Sequence, residues 1–317
     1  MSDQTVRWGI LGLAKIALEQ VIPAIHLSAR GQVAAVASLS GKQLSGYGDV
    51  RHHASYDALL ADPDIDAIYV PLPNNMHVEW TEKALRAGKH VLCEKPLAWD
   101  VAGIDRLIQV EAETGKLAAE AFMVAHHPQW SYVADLIAEG AVGKLAHIDG
   151  VFTYFNDDTG DIRNQSALEG GALGDIGVYP IITARLATGL EPTRASASAV
   201  MEGGVDLTTY AALDFPDFKM SFYCSMRMIR HQEMRFHGTK GVIEVPTPFN
   251  PPDYDAARVI LRRGDESIER RFPAAQQYVA QADAFHATVL DGAPYPFTLA
   301  ASRANQAVLD MIRAAAA

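Results

Sequence analysis

The sequence is poor in cysteine, lacks any cluster of basic residues and contains no long apolar run, and each absence excludes a class of protein. Its two cysteines, Cys93 and Cys224, lie far apart and form neither a metal-binding pattern nor a disulfide framework. With a net charge of -11 and no Lys/Arg block, a nucleic-acid partner is not expected. No run approaches the roughly 18 apolar residues of a membrane span, and the first strand pattern near Val6 leaves no room for a signal peptide. The sequence therefore predicts a soluble cytoplasmic protein without a metal site.

What is present is an alternation of apolar strands and helices over the first part of the chain, ending near residue 122. Such alternation predicts a doubly wound parallel sheet. From there to about residue 245 a helix-containing segment is followed by successive strand patterns, which predict a largely antiparallel sheet. The expected fold class is α/β, with a Rossmann domain over residues 1–122 and an α+β domain with a large open sheet over residues 123–317. Two closing helices, within residues 276–317, are expected to pack back on the first domain.

The stretch KHVLCEKPL, residues 89–97, is the most informative part of the first half. Residues 90–93 read as a buried strand that runs directly into Glu94, Lys95 and Pro96. Lys95 is therefore expected at the carboxyl edge of the sheet, where open α/β folds bind their ligands. Pro96 favours an extended backbone at Lys95, and a cis bond between them is an open possibility. The alternative is a solvated surface lysine.

A glycine-containing turn links the first strand to the first helix, in the sequence Gly9-Ile10-Leu11-Gly12-Leu13-Ala14-Lys15-Ile16-Ala17. Such a turn lets backbone N–H groups approach a pyrophosphate at a helix N-terminus. Ala14 and Ala17 stand where the dinucleotide fingerprint has glycines, so a plain strand-turn-helix is the alternative. The second strand ends in Ser38, Leu39, Ser40 and Lys42, without a carboxylate for a ribose diol. This pattern favours NADP over NAD, the alternative being a solvated loop.

Two further stretches carry polar residues. The sequence Pro71-Leu72-Pro73-Asn74-Asn75-Met76-His77 opens a helix, with Asn74 or Asn75 as a candidate cap and His77 in the first turn. In residues 170–179, GGALGDIGVY, the spacing of four places Asp175 and Tyr179 on one helix face. A neighbouring lysine would lower the pKa of Tyr179 and help it exchange a proton with a substrate hydroxyl. For both His77 and Tyr179, a purely structural hydrogen-bonding role is the alternative.

With these stretches in hand, the chain resembles the Gfo/Idh/MocA family of oxidoreductases. The resemblance covers nearly all of the chain and rests on a set of segments in the family's order. These are WGILGLAKIA, PLPNNMH, AGKHVLCEKPLA, EAFMVAHHPQ, GDIRNQSALEGGALGDIGVYP and HGTKGVIEV. The branch with tyrosine at position 179 includes aldose 1-dehydrogenases, glucose-fructose oxidoreductase and dihydrodiol dehydrogenases. The resemblance implies an NAD(P)-dependent oxidoreductase acting on a sugar or polyol, and a dimer or tetramer formed through the open sheet.

The resemblance also implies roles for individual residues. Lys95 and Tyr179 are the expected catalytic pair, and Asp175, Arg163 and His127 are the expected substrate contacts. The expected cofactor-binding residues are Gly9, Gly12, Leu13, Ala14, Lys15, Ile16, Ser38, Ser40, Lys42, Pro71, Leu72, Asn75, His77, Glu94 and Lys95. Leu39 stands where the family often has arginine, which leaves the choice between NADP and NAD open. Val124-Ala125 stand where the family has Tyr-Arg, and a different or smaller polyol is one explanation. The rival functions are a sugar lyase or glycosidase with tightly bound NAD, and a cofactor-sensing regulator without catalysis.

Overall fold

A computed structural model describes residues 4–316, which divide into two compact units. The first unit contains the chain up to His126 together with Gln276–Arg303, and the second contains His127–Ala275 and the chain from Ala304 onwards. The last helix thus begins in the first unit and ends in the second. In the described part of the chain, no helix combines the length and the apolar character that crossing a bilayer requires.

The first unit is built on a parallel sheet in the order β3-β2-β1-β4-β5-β6. Its strands are β1 (Val6–Leu11), β2 (Gly31–Ala37), β3 (Arg51–His53), β4 (Ala67–Val70), β5 (His90–Cys93) and β6 (Ala118–Glu120). All residues of β4 are buried, as expected for a parallel strand covered by helices on both faces. This order places β1 beside β4, the switch point at which doubly wound sheets bind ligands.

The helices of the first unit follow from amphipathic patterns with recognisable ends. They are α1 (Ile22–Leu27), α2 (Tyr56–Leu60), α3 (His77–Arg86), α4 (Val101–Thr114) and α8 (Gln277–Asp291). In α4, Asp100 caps the N-terminus by accepting a hydrogen bond from Gly103 N–H, and Gly115 ends the helix in the left-handed conformation. Apolar residues of α4 at intervals of three, from Ile104 to Val110, are buried against the sheet side.

The second unit is built on a larger sheet in the order β14-β13-β12-β11-β7-β10-β9-β8. Its strands are β7 (Leu145–Phe155), β8 (Arg194–Glu202), β9 (Val205–Asp214), β10 (Lys219–Ser225), β11 (Arg227–Gly238), β12 (Val242–Val245), β13 (Arg258–Arg263) and β14 (Glu266–Arg271). Neighbouring strands are antiparallel except β7 and β10, which are parallel. The helices are α5 (Pro128–Ala138), α6 (Val178–Thr188) and α7 (Pro251–Tyr254), followed by α9 (Leu299–Ala316), which is shared with the first unit.

The expected fold class is confirmed, while several local expectations are wrong. Neither Asn74 nor Asn75 caps α3, because both lie in a 3-10 turn and Met76 precedes the helix without a side-chain cap. The expected helix after Gly12 contains a π-helical turn, Ala17–Val21, before α1. Five elements were not expected from the sequence, namely α2, β3, α7, β13 and β14. The residues of β14 are all exposed, so that strand lacks the apolar alternation that predicts one.

Candidate functional site

The candidate cofactor residues of the first unit lie together at the carboxyl edge of the parallel sheet. They are residues 12–16 after β1, 38–42 after β2, 71–77 after β4 and 94–95 after β5. Because neighbouring parallel strands end at the same edge, four separate stretches of sequence converge there.

The two glycines of the first turn serve different purposes. Gly9 lies within β1, where a Cβ atom would come within 2.5 Å of the Leu59 side chain, so packing requires glycine there. Gly12 has a φ of +86°, a left-handed conformation that glycine adopts without strain. Its N–H donates to the Ala37 carbonyl at 2.7 Å, which ties the turn to the end of β2. Gly12 therefore shapes the turn, but its own N–H is already bound to the Ala37 carbonyl rather than offered to a ligand.

The residues after Gly12 begin a helix. Leu13 is buried, Ala14 and Ile16 are half-buried, and Lys15 is exposed. Nζ of Lys15 lies 3.9 Å from Oε2 of Glu19. The first turn of a helix leaves its N–H groups without intrahelical acceptors. Residues 14–16 are therefore the part of this turn that can offer backbone donors to an anionic group.

The loop after β2 folds back towards this turn. The Ser38 and Ser40 hydroxyl oxygens lie 3.1 Å apart, and Gly41 N–H donates to the Ser38 carbonyl at 3.2 Å. Nζ of Lys42 lies 3.5 Å from the Leu13 carbonyl oxygen, a long contact. The structure thus brings Lys42 and the two serines next to the glycine turn, which the sequence alone did not establish.

His77 links the ends of β4 and β5. Its ring is fully buried, with Nε2 2.7 Å from the Leu72 carbonyl and Nδ1 2.8 Å from the Pro96 carbonyl. Burial lowers the pKa of His77, and the neutral ring carries its N–H on one nitrogen, which donates to one of these two carbonyl oxygens. The direct role of His77 is therefore to hold the residue 71–72 segment beside the loop that carries Lys95.

Glu94 and Lys95 leave the sheet beside β4. The Tyr69 hydroxyl donates to Oε1 of Glu94 at 2.6 Å, and burial together with this carboxylate holds the pKa of Tyr69 well above its ordinary value. Lys95 is half-buried and its bond to Pro96 is cis. The phenol of Tyr69 thus stays protonated and fixes Glu94 at the strand end.

In the second unit, a glycine pair explains how the Asp175 segment begins. A Cβ atom on Gly170 would come within 2.4 Å of the Arg163 carbonyl, and one on Gly171 within 2.2 Å of Asp206. Gly171 has a φ of +125° and donates its N–H to the Arg163 carbonyl at 2.9 Å. The glycines are therefore required by packing against the chain around Arg163 and against Asp206.

Asp175 lies in a π-helical turn, Leu173–Gly177, and pairs with two side chains. Its Oδ2 accepts a hydrogen bond from the Tyr154 hydroxyl at 2.6 Å and lies 3.0 Å from Nε of Arg163. Burial and the nearby Asp175 carboxylate raise the pKa of Tyr154, and the Asp175 carboxylate raises the pKa of Arg163. Tyr154 therefore stays a phenol and Arg163 a cation, and the structure brings Asp175 and Arg163 together.

Tyr179 is the second residue of α6, and its side chain is buried among aromatic rings. Its ring centre lies 5.5 Å from those of Phe152 and Phe249. Phe152 and Tyr154 are two apart on β7 and so point to the same face of the sheet. Since Tyr179 contacts Phe152 and Asp175 contacts Tyr154, both residues face β7, as their spacing of four predicts.

Two buried glutamines hold Phe249 against Tyr179. Oε1 of Gln232 accepts the N–H groups of Phe249 at 2.9 Å and Asn250 at 3.2 Å. Nε2 of Gln129 donates to the Pro248 carbonyl at 2.8 Å. Since both amides are almost completely buried, they fix the path of a proline-rich loop that has few backbone partners of its own.

His127 lies elsewhere in this unit. Its Nδ1 accepts the Gln129 N–H at 3.1 Å at the start of α5, and its ring lies 6.0 Å from that of Phe272. Burial lowers the pKa of His127 to about 4. Among the described contacts, none joins His127 to the Arg163–Asp175 pair, so a shared substrate-binding role stays a prediction.

Sequence reasoning missed Tyr154, Phe249 and Glu120, a buried carboxyl group at the end of β6. A signal for Glu120 was present, because it is a single acidic residue in the apolar run LAAEAF. Tyr154 and Phe249 carry no such signal, since an aromatic residue in a strand or a loop has an ordinary packing role. Among the side chains that the structure describes, no group of three His, Cys, Asp or Glu residues is arranged to hold a metal ion.

Comparison with known proteins identifies both halves of the chain. Residues 6–122 match the model of the GFO_IDH_MocA oxidoreductase family with an NAD-binding Rossmann fold, and residues 130–244 match the GFO/IDH/MocA C-terminal domain. An uncharacterised oxidoreductase of Rhizobium meliloti is 41% identical, over 98% of this chain and 97% of that protein. A D-xylose 1-dehydrogenase (NADP(+)) of Haloferax volcanii is 31% identical, over 90% and 89% of the two chains.

A crystal structure of a 3-ketoreductase from Actinomadura kijaniata, in complex with NADP and TDP-benzene, has the same fold. It superimposes with a TM-score of 0.91 at 34% identity and covers 98% of each chain. Both domain models match in their expected order, and the relatives align over nearly the whole sequence. The chain therefore belongs to the Gfo/Idh/MocA family of oxidoreductases.

Proposed function

We propose that this protein is an NADP-dependent oxidoreductase that moves a hydride between the nicotinamide and a carbon of a sugar or related polyol. The observation that carries the proposal is the carboxyl edge of the parallel sheet. There His77 and Tyr69 hold the loop with Glu94 and Lys95 beside the glycine turn. A regulator without catalysis could lose Lys95 or Tyr179 without penalty, so the presence of both counts against that alternative.

The residues at this edge fit a dinucleotide. Gly12 turns the chain so that the first helix begins beside β2 and β4, and residues 14–16 supply N–H donors for a pyrophosphate. Ser38, Ser40 and Lys42 stand where the adenine ribose is bound in such folds, and residues 32–43 include no carboxylate to repel a 2′-phosphate. These features favour NADP, with NAD as the weaker ligand.

The nicotinamide, when bound, supplies or accepts the hydride. Tyr179 would exchange the proton of the substrate hydroxyl, and Lys95 would lower the pKa of that tyrosine and bind the same oxygen. Asp175, held by Tyr154 and Arg163, would accept a hydrogen bond from a second substrate hydroxyl. A carboxylate whose orientation is already set loses less freedom when a sugar binds.

The relatives support two substrate classes, free aldoses and keto-sugars linked to a nucleotide. A free aldose is the main candidate, since the carboxylate of Asp175 suits a polyol with several hydroxyl groups. The deciding experiment is a screen of the purified protein with NADP and NAD against aldoses and cyclic polyols. A parallel reduction assay with NADPH would use nucleotide-linked keto-sugars.

Turnover of a free sugar with net reduction of NADP is expected. Turnover of only the nucleotide-linked compounds would move the assignment to the second class. Sugar cleavage with tightly bound NAD and no net reduction of the cofactor would contradict the proposal.

We also expect a homodimer or homotetramer in the cytoplasm. One face of the second unit's sheet is uncovered within that unit and forms a concavity of about 750 Å³. It is lined by polar and aromatic side chains, including Asp149, Tyr210, Tyr223, Glu233 and Arg235. A broad face of this kind suits a second copy of the chain. Cys93 and Cys224 are buried and form no disulfide, as is usual for proteins of a reducing compartment such as the cytoplasm.

A further inference from the structure

Glu120 is a buried carboxyl group beside the loop that carries Lys95. It ends β6, and its pairing partner in the sheet is Cys93, the last residue of β5. The chain leaves β5 as Glu94 and Lys95, so Glu120 stands next to that exit. Only 4% of Glu120 is exposed. Carboxylates are rarely buried to this extent unless they are paired, so this position calls for an explanation.

The carboxyl group holds the far end of the same loop. Its Oε1 accepts the N–H of Leu97 at 2.8 Å, while Leu97 is itself fully buried. Among the described residues, no group reaches Oε2 with hydrogen-bond geometry. The Ser302 hydroxyl of α9 faces the carboxyl group and favours its charged form without completing that geometry. Thus Oε1 accepts a hydrogen bond from the loop, whereas Oε2 is buried and has no hydrogen-bond partner among the described residues.

The charges facing Glu120 come from β5 and the loop after it. Glu94 disfavours the ionised form of Glu120, and the Lys95 ammonium favours it. The Cys93 thiol, whose pKa is raised by burial, is neutral. Burial is the largest influence, and it raises the pKa of Glu120 to about 7. From α9, the polar group that faces it is the Ser302 hydroxyl. Glu120 therefore changes charge in the neutral range beside the Lys95 ammonium.

We propose that Glu120 is a positioning residue for Lys95, holding the loop through Leu97 and, once ionised, holding the Lys95 ammonium in its working place. The idea rests on the proposed function, in which Lys95 acts on the substrate oxygen. Ionisation releases the Glu120 proton to solvent and leaves a carboxylate that attracts the ammonium group. Hydride transfer that depends on Lys95 is then fastest above neutral pH and falls as Glu120 becomes protonated.

The test is the pH profile of kcat for the wild type and for Glu120→Gln. Glutamine keeps an oxygen for the Leu97 N–H but cannot ionise. The wild-type profile should rise through about pH 7, whereas the variant should lack this step. The two should agree within about twofold at pH 6, with the variant roughly tenfold slower at pH 8. A variant that keeps the wild-type step and rate at both pH values would overturn the proposal.

A matched control is Glu111→Gln. Glu111 also accepts a backbone N–H, that of Ala118 at 2.9 Å, and burial raises its pKa, but it lies at the opposite end of β6. This variant should keep the neutral-pH step. If it lost the step as completely as Glu120→Gln, loosening of β6 would explain both results and the proposal would fail.

A second measurement does not depend on activity or on the folding of Glu120→Gln. Infrared spectra recorded between pH 6 and 8 should show a protonated carboxylic acid band that disappears with rising pH. The frequency of this band should shift in Glu120→Asp. In Lys95→Ala, the pH at which half of the band has disappeared should be higher, because the Lys95 cation that favours ionised Glu120 is gone. A midpoint unchanged by Lys95→Ala would contradict the coupling. If Lys95→Ala left turnover intact, the proposed function would fail instead, which separates the two failures.

Discussion

The Tyr154 hydroxyl donates a hydrogen bond of 2.6 Å to Oδ2 of Asp175, the same oxygen that lies 3.0 Å from Nε of Arg163. One carboxylate oxygen is thus occupied by two neighbours from different parts of the chain. Under the proposed function, this carboxylate is the group that a substrate hydroxyl would reach.

Tyr154→Phe should therefore weaken substrate binding more than it slows the chemical step. Loss of a hydrogen bond to a charged group costs about 1.5–3 kcal/mol, so KM should rise by roughly tenfold or more while kcat changes less. Tyr132→Phe is the control, since the ring contacts of Tyr132 with Phe272 and Arg270 survive removal of the hydroxyl. Steady-state kinetics that give an unchanged KM for Tyr154→Phe would contradict this role of Tyr154 in substrate binding.

The proposed catalytic pair is tested by Lys95→Ala and Tyr179→Phe. Each should lower kcat by about 10²–10⁴-fold, the usual contribution of general acid–base catalysis. Tyr179→Phe should still bind NADPH, measured by fluorescence titration, because it keeps its ring among Phe152 and Phe249. Near-normal turnover in both variants would remove this mechanism.

Cofactor preference is tested at the loop after β2. NADP should bind about tenfold to a hundredfold more tightly than NAD, since a single exposed charge-assisted contact is modest. Lys42→Ala should weaken NADP and leave NAD little changed, whereas Lys83→Ala, an exposed lysine on α3, should affect neither. Tighter binding of NAD by the wild type, or equal loss of both cofactors in Lys42→Ala, would contradict this interpretation.

Assembly is tested at the uncovered face of the sheet. The wild type should sediment as a dimer or larger species at micromolar concentration. Tyr210→Glu should shift it towards the monomer, because it adds a third negative charge to a face that already carries Asp149 and Glu233. Leu27→Glu, at a residue of the first unit that is 67% exposed, should leave sedimentation unchanged. A wild-type monomer would refute the expected oligomer.

Acid should destabilise the fold through its buried histidines. Trp8 N–H donates to Nε2 of His286 at 2.9 Å, so Nδ1 carries the proton and faces the Ser28 hydroxyl at 2.8 Å. Burial lowers the pKa of His286 to about 4, and it does the same for His90, His126 and His127.

Between pH 6.5 and 4, these histidines are protonated in the unfolded chain but stay neutral in the folded chain. Stability is then fully present above pH 6.5 and falls as the pH drops, by up to about 1.4 kcal/mol per unit for each histidine. Glu120, Glu111 and Asp206, whose pKa values burial raises, act in the opposite direction but are fewer than these histidines. Urea unfolding from pH 7 to 5 should show a declining free energy, with a shallower slope for His286→Gln. A free energy that stays level over this range would contradict the expectation.

Much of the fold was predictable because local patterns and long-range packing agree. The strands β4 and β5 are short, mostly apolar runs, and β10 alternates polar and apolar residues, so sequence pattern and burial agree in them. The failures are β3 and β14, whose polar or exposed residues pair only because a neighbouring strand offers an edge. Propensity is a weak guide for such strands, since tertiary context decides them.

The sequence by itself determined that a glycine turn, a Glu-Lys-Pro loop and an Asp-x-x-x-Tyr segment exist, because each is set by residues close together in the chain. Only the tertiary structure decided their partners. Glu120 meets Leu97, Tyr154 meets Asp175 and Lys42 approaches Leu13, across separations of 23, 21 and 29 residues. Such contacts depend on strand order, which brings distant residues together, and on burial, which strengthens the hydrogen bond between them relative to one with water. For that reason they cannot be deduced from local pattern.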